Sequence, residues 1–528
     1  MSTEDINKVV VTLNKGVDVD AFIEEMNSAG NTSPYVPSRA VEIYNLKEDS
    51  LRNVDFVMTR GEMEQLKQDP RVQACRFGTK LENGMIAEPF TQDISRPYTR
   101  TNTYLPGNVD MPWQLLNTYK TTNQYTSSTN VNYAAQFTAL GKGVDFVIQD
   151  TGLQVDHPEF TDSNGVSRVK QINWYTETGI SGSMPPNFYT DTYGHGTHCA
   201  GTAVGKTYGF AKEADIYVMT ILGNGTGQNV AISQSFNLIR TWHQNKPVTA
   251  TGYKRPTVVN MSWGYRIGIG AVTGGNYRGT IWSGSAPQNQ FGVIQGNGSM
   301  PIIVDSVQAD ADDCLDAGVI LIGAAGNNRY KIDAPGGLDY NNTVNWSGYG
   351  TGYYMRGSTP CANPNILKIG AVALQNNPEK KATFSCAGPG VPFYIGGDYI
   401  QSACSNTTVF GGAYPVASYP FNPAYKVAKV SGTSMASPGA AGLACVLLGS
   451  RPWYTPQQIQ QWLSDNSINN RLQDNNNGYA DPISLQGGPN KYMFNPWTAG
   501  ADPTHIHHTS PAQPDQDPNF VAILHGSL

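Results

Sequence analysis

The sequence predicts an α/β protein, a doubly wound and mostly parallel sheet with helices on both faces, preceded by a small α+β unit. Three observations predict it. Between residues 131 and 484, short apolar runs bounded by glycine or polar turns alternate with helical segments. Those runs lack the polar alternation of a half-exposed strand, as strands buried on both faces should. Residues 1–88 follow a different order, β-α-β-β-α-β.

The elements follow in turn. Val9–Leu13 reads as a strand, Val19–Met26 as an amphipathic helix, and Val41–Tyr44 and Asp55–Met58 as further strands. Arg60–Lys67 begins a second helix, and Val72–Arg76 is the last strand of the unit. Residues 89–130 are polar, rich in Thr, Asn, Pro and Tyr, and read as a linker and arm. Val144–Ile148 is the first buried strand of the larger unit, with Asp150 just past its end. Small residues after His195 fit a helix packed closely on a sheet. Ala214–Met219 and Thr257–Ser262 are core strands, and Ile232–Arg240 and Pro456–Leu463 are helices. Val319–Ala324 is another buried strand, with Asn327 in the turn after it. Ser434 opens a helix with Pro438 near its start and small or aliphatic residues from Ala440 to Leu448. The glycine-dense span Tyr265–Pro301 reads as a surface insertion. Asp310, Asp312, Asp313 and Asp316 read as the exposed face and first turn of a helix. From Leu485 to Leu528 apolar periodicity fades, which predicts an extended arm or a disordered end.

A chain of 528 residues exceeds one average core. The expected division is 1–88, a linker at 89–130, the main unit at 131–484 and an extension at 485–528. Net charge is −6, with no basic stripe, which argues against a nucleic-acid partner; no apolar run reaches membrane-spanning length. Met1–Lys8 has neither a basic start nor an apolar stretch. The expected location is therefore cytoplasmic or particle-associated, for example in a virion, with secretion by another route left open. Most of the seven cysteines are expected as free thiols, with a pair among Cys361, Cys386 and Cys404 left open.

Three segments far apart carry a carboxylate, an imidazole and a hydroxyl. They are Val147–Gly152 with Asp150, Gly194–Gly201 with His195, and Ser431–Pro438 with Ser434. Alone, each reads as a turn, a local hydrogen-bonding group or a helix cap. Together they supply a nucleophile, a base and a group that orients the base. A serine hydroxyl needs a neighbour to take its proton as it attacks a carbonyl, and imidazole titrates in the right range to do so. A carboxylate on the far ring nitrogen fixes the tautomer and stabilises the imidazolium. The Asn327 side chain and the Ser434 backbone N–H are the donors expected at the oxyanion. His198, Asp191 and Asp156 read as structural hydrogen-bonding groups.

These segments, in the order Asp, His, Ser and with Ala324–Asn327 between, resemble the subtilisin-like serine peptidases. Asn224–Gln228 and the cysteine after His198 resemble the proteinase K branch, although Pro438-Gly439 stands where that branch has Pro-His. The resemblance implies an endopeptidase acting through an acyl-enzyme on peptide or protein substrates, with no cofactor required for chemistry. It implies that residues 1–88 are an inhibitory prodomain acting as an intramolecular partner, the alternative being an unrelated ferredoxin-like module. Any self-cleavage is expected between Lys80 and Val109. Alternatives are a structural or virion-associated protein using the fold as scaffold, or a peptidase acting only on itself.

The resemblance further implies that Ser262, Trp263 and Gly264 line one side of the cleft, and Ala324, Ala325 and Gly326 the other. Main-chain pairing there gives affinity with little sequence demand. Small wall residues imply a broad or apolar preference, and the lack of Asp or Glu from Ser262 through Val304 disfavours basic residues before the scissile bond. Trp263 either narrows a subsite or packs at the rim. Structural calcium is a family possibility. Asp474, Asn476 and Asp481 flank a glycine turn as in a fragment of a calcium loop, although polar-turn composition alone explains them. His505, His507 and His508 read as a solvated tail or a transition-metal site.

Overall fold

The computed structural model describes residues 7–45, 50–78, 85–89 (backbone only), 112–123, 139–223, 229–250, 252–285, 291–294, 298–348, 350–374, 378–410, 414–475 and 481–496. In chain order the first elements are β1 (Asn7–Leu13), α1 (Val19–Met26), β2 (Glu42–Asn45), β3 (Asn53–Met58), α2 (Arg60–Leu66), β4 (Val72–Phe77) and β5 (Met85–Pro89). Next come α3 (Trp113–Asn117), β6 (Asp145–Asp150), α4 (Trp174–Thr178), α5 (His195–Val204), β7 (Asp215–Thr220), α6 (Ile232–Asn245), β8 (Thr257–Met261) and β9 (Trp263–Gly268). β10 (Val272–Tyr277), β11 (Thr280–Ser283), β12 (Ser299–Pro301), α7 (Asp305–Asp316), β13 (Ile320–Ala324), β14 (Thr343–Trp346), β15 (Gly350–Tyr353), β16 (Leu367–Val372) and β17 (Phe393–Gly396) follow. The last are β18 (Ile400–Cys404), β19 (Val416–Tyr419), β20 (Asn422–Val430), α8 (Thr433–Ser450), α9 (Pro456–Asn466), β21 (Ile468–Asn469) and β22 (Lys491–Tyr492).

The N-terminal module is an antiparallel sheet in the order β2–β3–β1–β4 with two helices, the ferredoxin-like α+β arrangement. Its helices start where the sequence supplies caps. The Asp18 side chain accepts from Ala21 N–H, and Thr59 with Glu62 forms a reciprocal capping box. Phe22, Met26, Met63 and Leu66 pack on Val9, Val11 and Phe56 to make a core of its own.

The main unit is built on eight strands in the order β21–β22–β17–β16–β13–β8–β6–β7. Every pair is parallel except β21 with β22. All residues of β6, β8, β13, β16 and β17 are buried, which is why their sequences show no alternation. α8 crosses β8, β13, β16 and β17 and packs on α5, while α6 packs on α7. The chain beyond Leu485 corrects the expected arm. β22 joins the sheet beside β17, and Tyr492, Met493 and Phe494 are buried. A strand of two residues is too short to show a period.

The aspartates of α7 are also corrected. Among the four, Asp316 is exposed, but Asp310 and Asp313 are buried beneath the N-terminal module. Arg52 donates from Nε to Asp313 Oδ2 (3.0 Å) and from Nη2 to the Ala309 carbonyl (2.6 Å). Ser50 Oγ and Asn53 Nδ2 donate to Asp310 Oδ1 at 2.8 and 3.1 Å, and Arg76 and Lys15 pair with Asp305 and Asp316. β5 lies elsewhere on the main unit. It pairs antiparallel with β9, from Met85 opposite Ile267 to Pro89 opposite Trp263. β9 also pairs with β12, so it is the middle of a three-stranded sheet.

The span Tyr265–Pro301 supplies β10 and β11, which with β14 and β15 form a four-stranded antiparallel sheet in the order β11–β10–β14–β15. All seven cysteines are buried and unpaired, those at 361, 386 and 404 included. No helix among the described residues is long and apolar enough to cross a membrane.

Candidate active site

β6 delivers Asp150 at its last position, in the crevice beyond the carboxyl ends of the parallel strands. Asp150 Oδ1 accepts from its neighbour's Thr151 N–H (2.7 Å) and faces His195 Nδ1 at 2.6 Å. A carboxylate only accepts, so Nδ1 carries the proton and Nε2 is left as the base. Asp150 Oδ2 is buried without a partner.

His195 is the first residue of α5, whose N-cap Gly194 offers no side chain. Asp191 does that work. Its carboxylate accepts from Gly194 N–H (2.7 Å), from Thr197 N–H (2.9 Å) and Oγ1 (2.6 Å), and from Thr151 Oγ1 (3.0 Å). Thr151 Oγ1 in turn accepts from Gly196 N–H at 2.8 Å. Gly196 is required by close approach, since a Cβ there would stand 2.2 Å from the Gly152 carbonyl. This clasp holds the imidazole against Asp150. His198 faces away, its Nε2 near the Ile400 and Ala428 carbonyls at 3.0 and 3.1 Å, and burial pushes its pKa down to about 3.

Ser434 lies in the first turn of α8. Its hydroxyl donates to the Ser262 carbonyl at 2.9 Å and not to His195. The same turn shows a consequence of Pro438, which has no N–H to offer the carbonyl four residues earlier. That carbonyl belongs to Ser434, and it accepts instead from Ser262 Oγ (3.0 Å) and Cys199 Sγ (3.3 Å). Cys199 Sγ also lies 3.7 and 3.9 Å from the two ring nitrogens of His195, so one buried thiol touches both residues. Burial holds that thiol well above its ordinary pKa, which makes it a packing and hydrogen-bonding group.

Asn327 follows Gly326, whose φ of +105° turns the chain at the end of β13. The Asn327 Oδ1 accepts from Thr433 N–H (2.9 Å) and Thr433 Oγ1 (2.8 Å). Its Nδ2 is thereby turned the other way, buried and without a partner. A buried donor left unpaired beside a serine hydroxyl can serve an acceptor that arrives from outside the chain. Asp150, His195 and Ser434 are all 0% exposed.

Of the residues expected at the cleft, Ser262 contacts Ser434 and Gly326 contacts its neighbour Thr433. Ser262 is present through its carbonyl and hydroxyl, and Gly264 through backbone facing β5. Ala324 closes β13, and Gly326 N–H donates to Thr433 Oγ1 at 3.1 Å. Trp263 contributes backbone alone. Its indole is fully buried against Phe236 and Tyr265, because alternation along β9 turns it into the core. Sequence reasoning missed Thr433, for which the Thr in Gly-Thr-Ser was the signal; Asp191 is the structural hydrogen-bonding group expected, and the structure adds its partners.

Of the calcium candidates, Asp474 and Asp481 lie among the described residues, and both accept hydrogen bonds from protein groups. Asp474 Oδ1 accepts from Leu485 N–H (3.2 Å), while Asp481 accepts from Ile483 N–H (3.0 Å) and Asn475 Nδ2 (3.1 Å). The Ile483 bond caps a turn and the other two tie the segment together, and among the described residues the grouped metal-ligating atoms are those of Asp150, His195 and Cys199. Asn476, Asn224–Gln228, residues 79–84 and 90–109 of the expected cleavage region, and His505, His507 and His508 lie outside the described residues.

A model of the subtilase family (Peptidase_S8) matches residues 141–487. "Alkaline protease 1" of Aspergillus clavatus is 26% identical over 369 residues, covering 70% of this chain and 64% of the relative. The chain thus spans less than two thirds of that relative's length. "Extracellular serine proteinase" of a Thermus species is 24% identical over 411 residues, covering 78% of this chain and 69% of the relative. Among solved structures, fervidolysin from Fervidobacterium pennivorans, a keratinolytic enzyme related to subtilisin, superposes with a TM-score of 0.50. It is 16% identical, over 93% of this chain and 60% of its own, a likeness of fold. The expected cytoplasmic or particle-associated location is corrected by these relatives, one of which is named as extracellular. That expectation rested on the composition of Met1–Lys8, whereas the relatives match through the folded units.

Proposed function

The chain belongs to the subtilase family of serine peptidases, and we propose that it is an endopeptidase cutting extended peptides through an acyl-enzyme on Ser434. One observation carries the reading: the buried Asn327 amide has no partner and sits beside a hydroxyl, with an Asp150–His195 pair next to it. Catalysis in this family needs no cofactor.

The steps follow from these groups. The Ser434 hydroxyl rotates from the Ser262 carbonyl to His195 Nε2, which takes its proton as the oxygen attacks the substrate carbonyl. Asp150 stabilises the imidazolium without taking a proton. The oxyanion is bound by Asn327 Nδ2 and the Ser434 backbone N–H. Collapse returns the proton from Nε2 to the leaving amine, and water, deprotonated by His195, then releases the acyl group.

The reading includes a self-inhibited precursor acting outside the cell, with a broad preference set by main-chain pairing. Two features support self-inhibition: the module docks on α7 through the buried Arg52–Asp313 ion pair, and β5 pairs with β9. β5 runs toward Ser262, whose carbonyl holds the nucleophile, so self-cleavage is inferred beyond Pro89. Labelling of the full chain by a fluorophosphonate, lost in Ser434→Ala, tests the nucleophile; no labelling overturns the peptidase reading. Comparing intact masses of wild type and Ser434→Ala tests self-cleavage, and identical masses overturn it.

A further inference from the structure

We propose that Asn260 and Ser437 are positioning residues for Ser434, acting through Ser262 along a buried chain of hydrogen bonds that points one way. The inference rests on the peptidase reading and deepens its account of how the nucleophile is held. It starts from the proline in α8. Pro438 gives the Ser434 carbonyl no N–H four residues ahead, so the peptide plane that follows the nucleophile is held by side chains. Ser262 Oγ (3.0 Å) and Cys199 Sγ (3.3 Å) supply the bonds. A thiol is the weaker donor, so Ser262 carries more of the hold. Ser262 also accepts the Ser434 hydroxyl on its own carbonyl at 2.9 Å, and two bonds therefore join the two serines.

The direction of the chain follows from which atoms can donate. Asn260, on β8, donates from Nδ2 to Ser262 Oγ at 2.9 Å and accepts on Oδ1 from Ser437 Oγ at 2.8 Å. An amide nitrogen cannot accept, so the Ser262 hydroxyl accepts there and its one proton is left for the Ser434 carbonyl. The amide is oriented in turn by Ser437, whose proton has Asn260 Oδ1 at 2.8 Å and the Ile322 carbonyl only at 3.5 Å. Were the amide reversed, Oδ1 would face Ser262 and draw its proton away from Ser434. Ser437 lies in α8 three residues after Ser434, so the chain leaves that helix, passes through β8 and Ser262, and returns to the nucleophile. Asn260, Ser262, Ser434 and Ser437 are all 0% exposed, so bulk water does not compete for these bonds. Attack on a carbonyl is sensitive to small misplacements of the attacking oxygen, which places the expected loss in kcat.

The test compares Asn260→Ala, Ser437→Ala and Ser262→Ala, and the doubles that combine each of the first two with Ser262→Ala, as full chains incubated until their masses are constant. Asn260→Ala is expected to lower kcat on a peptide substrate about 5- to 20-fold, with KM within about 2-fold and the rate of fluorophosphonate labelling reduced like kcat. Ser437→Ala keeps the amide but frees it to turn, so a smaller loss of about 2- to 5-fold is expected, and it carries the test if Asn260→Ala does not fold. In the Ser262→Ala background neither change should lower kcat further, because both act through that hydroxyl. A lower Tm with wild-type kcat would overturn the inference, as would the same fold-loss in both backgrounds, the mark of a role that does not run through Ser262. Labelling of the wild type separates the two levels. A labelled wild type with unaffected variants overturns this inference alone, and absence of labelling overturns the peptidase reading and this inference with it.

Discussion

Thr433→Val isolates the orientation of the Asn327 amide from its presence. The Thr433 hydroxyl stands between two partners, donating to Asn327 Oδ1 (2.8 Å) and accepting from Gly326 N–H (3.1 Å). Valine keeps the shape, and the Thr433 backbone N–H still holds Asn327 Oδ1 at 2.9 Å. One of two anchors is lost, at about 0.5 to 1.5 kcal/mol. Loosening the amide by that amount lowers kcat about 3- to 10-fold. KM should move less than about 2-fold, because the donor acts on charge that develops only in the transition state. The orphaned Gly326 N–H costs a further ~1 to 3 kcal/mol of stability, read as a lower Tm. Thr433→Ser should restore both. Asn327→Ala removes the donor itself and should cost about 100- to 1000-fold in kcat, the loss seen in a subtilisin. A wild-type kcat in Thr433→Val, or a loss that appears in KM and is not rescued by serine, would refute the reasoning.

Other outcomes follow from the same contacts. Arg52→Met leaves Asp313 buried without its cation and should weaken docking of the module by about 2 to 5 kcal/mol, shortening any lag before peptidase activity; an unchanged lag counts against the docking role. Burial pushes the Asp339 carboxyl up, yet hydrogen bonds from Arg278, Lys331 and Asn342 hold it below the ordinary carboxylate range. With a depressed folded pKa, its stabilisation is complete above pH ~4 and is lost as pH falls further. Asp339→Asn should therefore flatten acid unfolding below pH ~4 and cost only about 1 to 2 kcal/mol at neutrality, since Arg278 is 42% exposed and screened; an unchanged acid limb is the contrary result. Cys199→Ser keeps a donor for the Ser434 carbonyl and should retain kcat within about 5-fold, whereas Cys199→Val removes it and should lower Tm; equal Tm in the two variants is the contrary result.

The parts of the fold that could be read were those encoded within one segment. Val144–Ile148 and Val319–Ala324 are apolar throughout because both faces of those strands are covered. Asp150, His195, Asn327 and Ser434 stand in short segments whose neighbours are small, since the chain must approach closely there. What escaped reading depended on partners remote in sequence. Asp310 and Asp313 look like a solvated helix face until Asn53 and Arg52, more than 250 residues earlier, are placed on them. The direction of Trp263 was undecided because one residue does not reveal which face of β9 is inner. Pro438 was legible as a helix-start residue, but not that it would leave a carbonyl for Ser262 and Cys199 to satisfy.

The seating of β5 on the same chain that carries Ser434 has a bearing on dose. While the backbone beyond Pro89 is continuous, the strand proposed to block the site is present at a local concentration on the order of millimolar, however dilute the protein. Severing one peptide bond converts the same contacts into an encounter between separate molecules, governed by mass action. Crowded preparations would then stay silent longer than sparse ones, with dilution acting as the release signal.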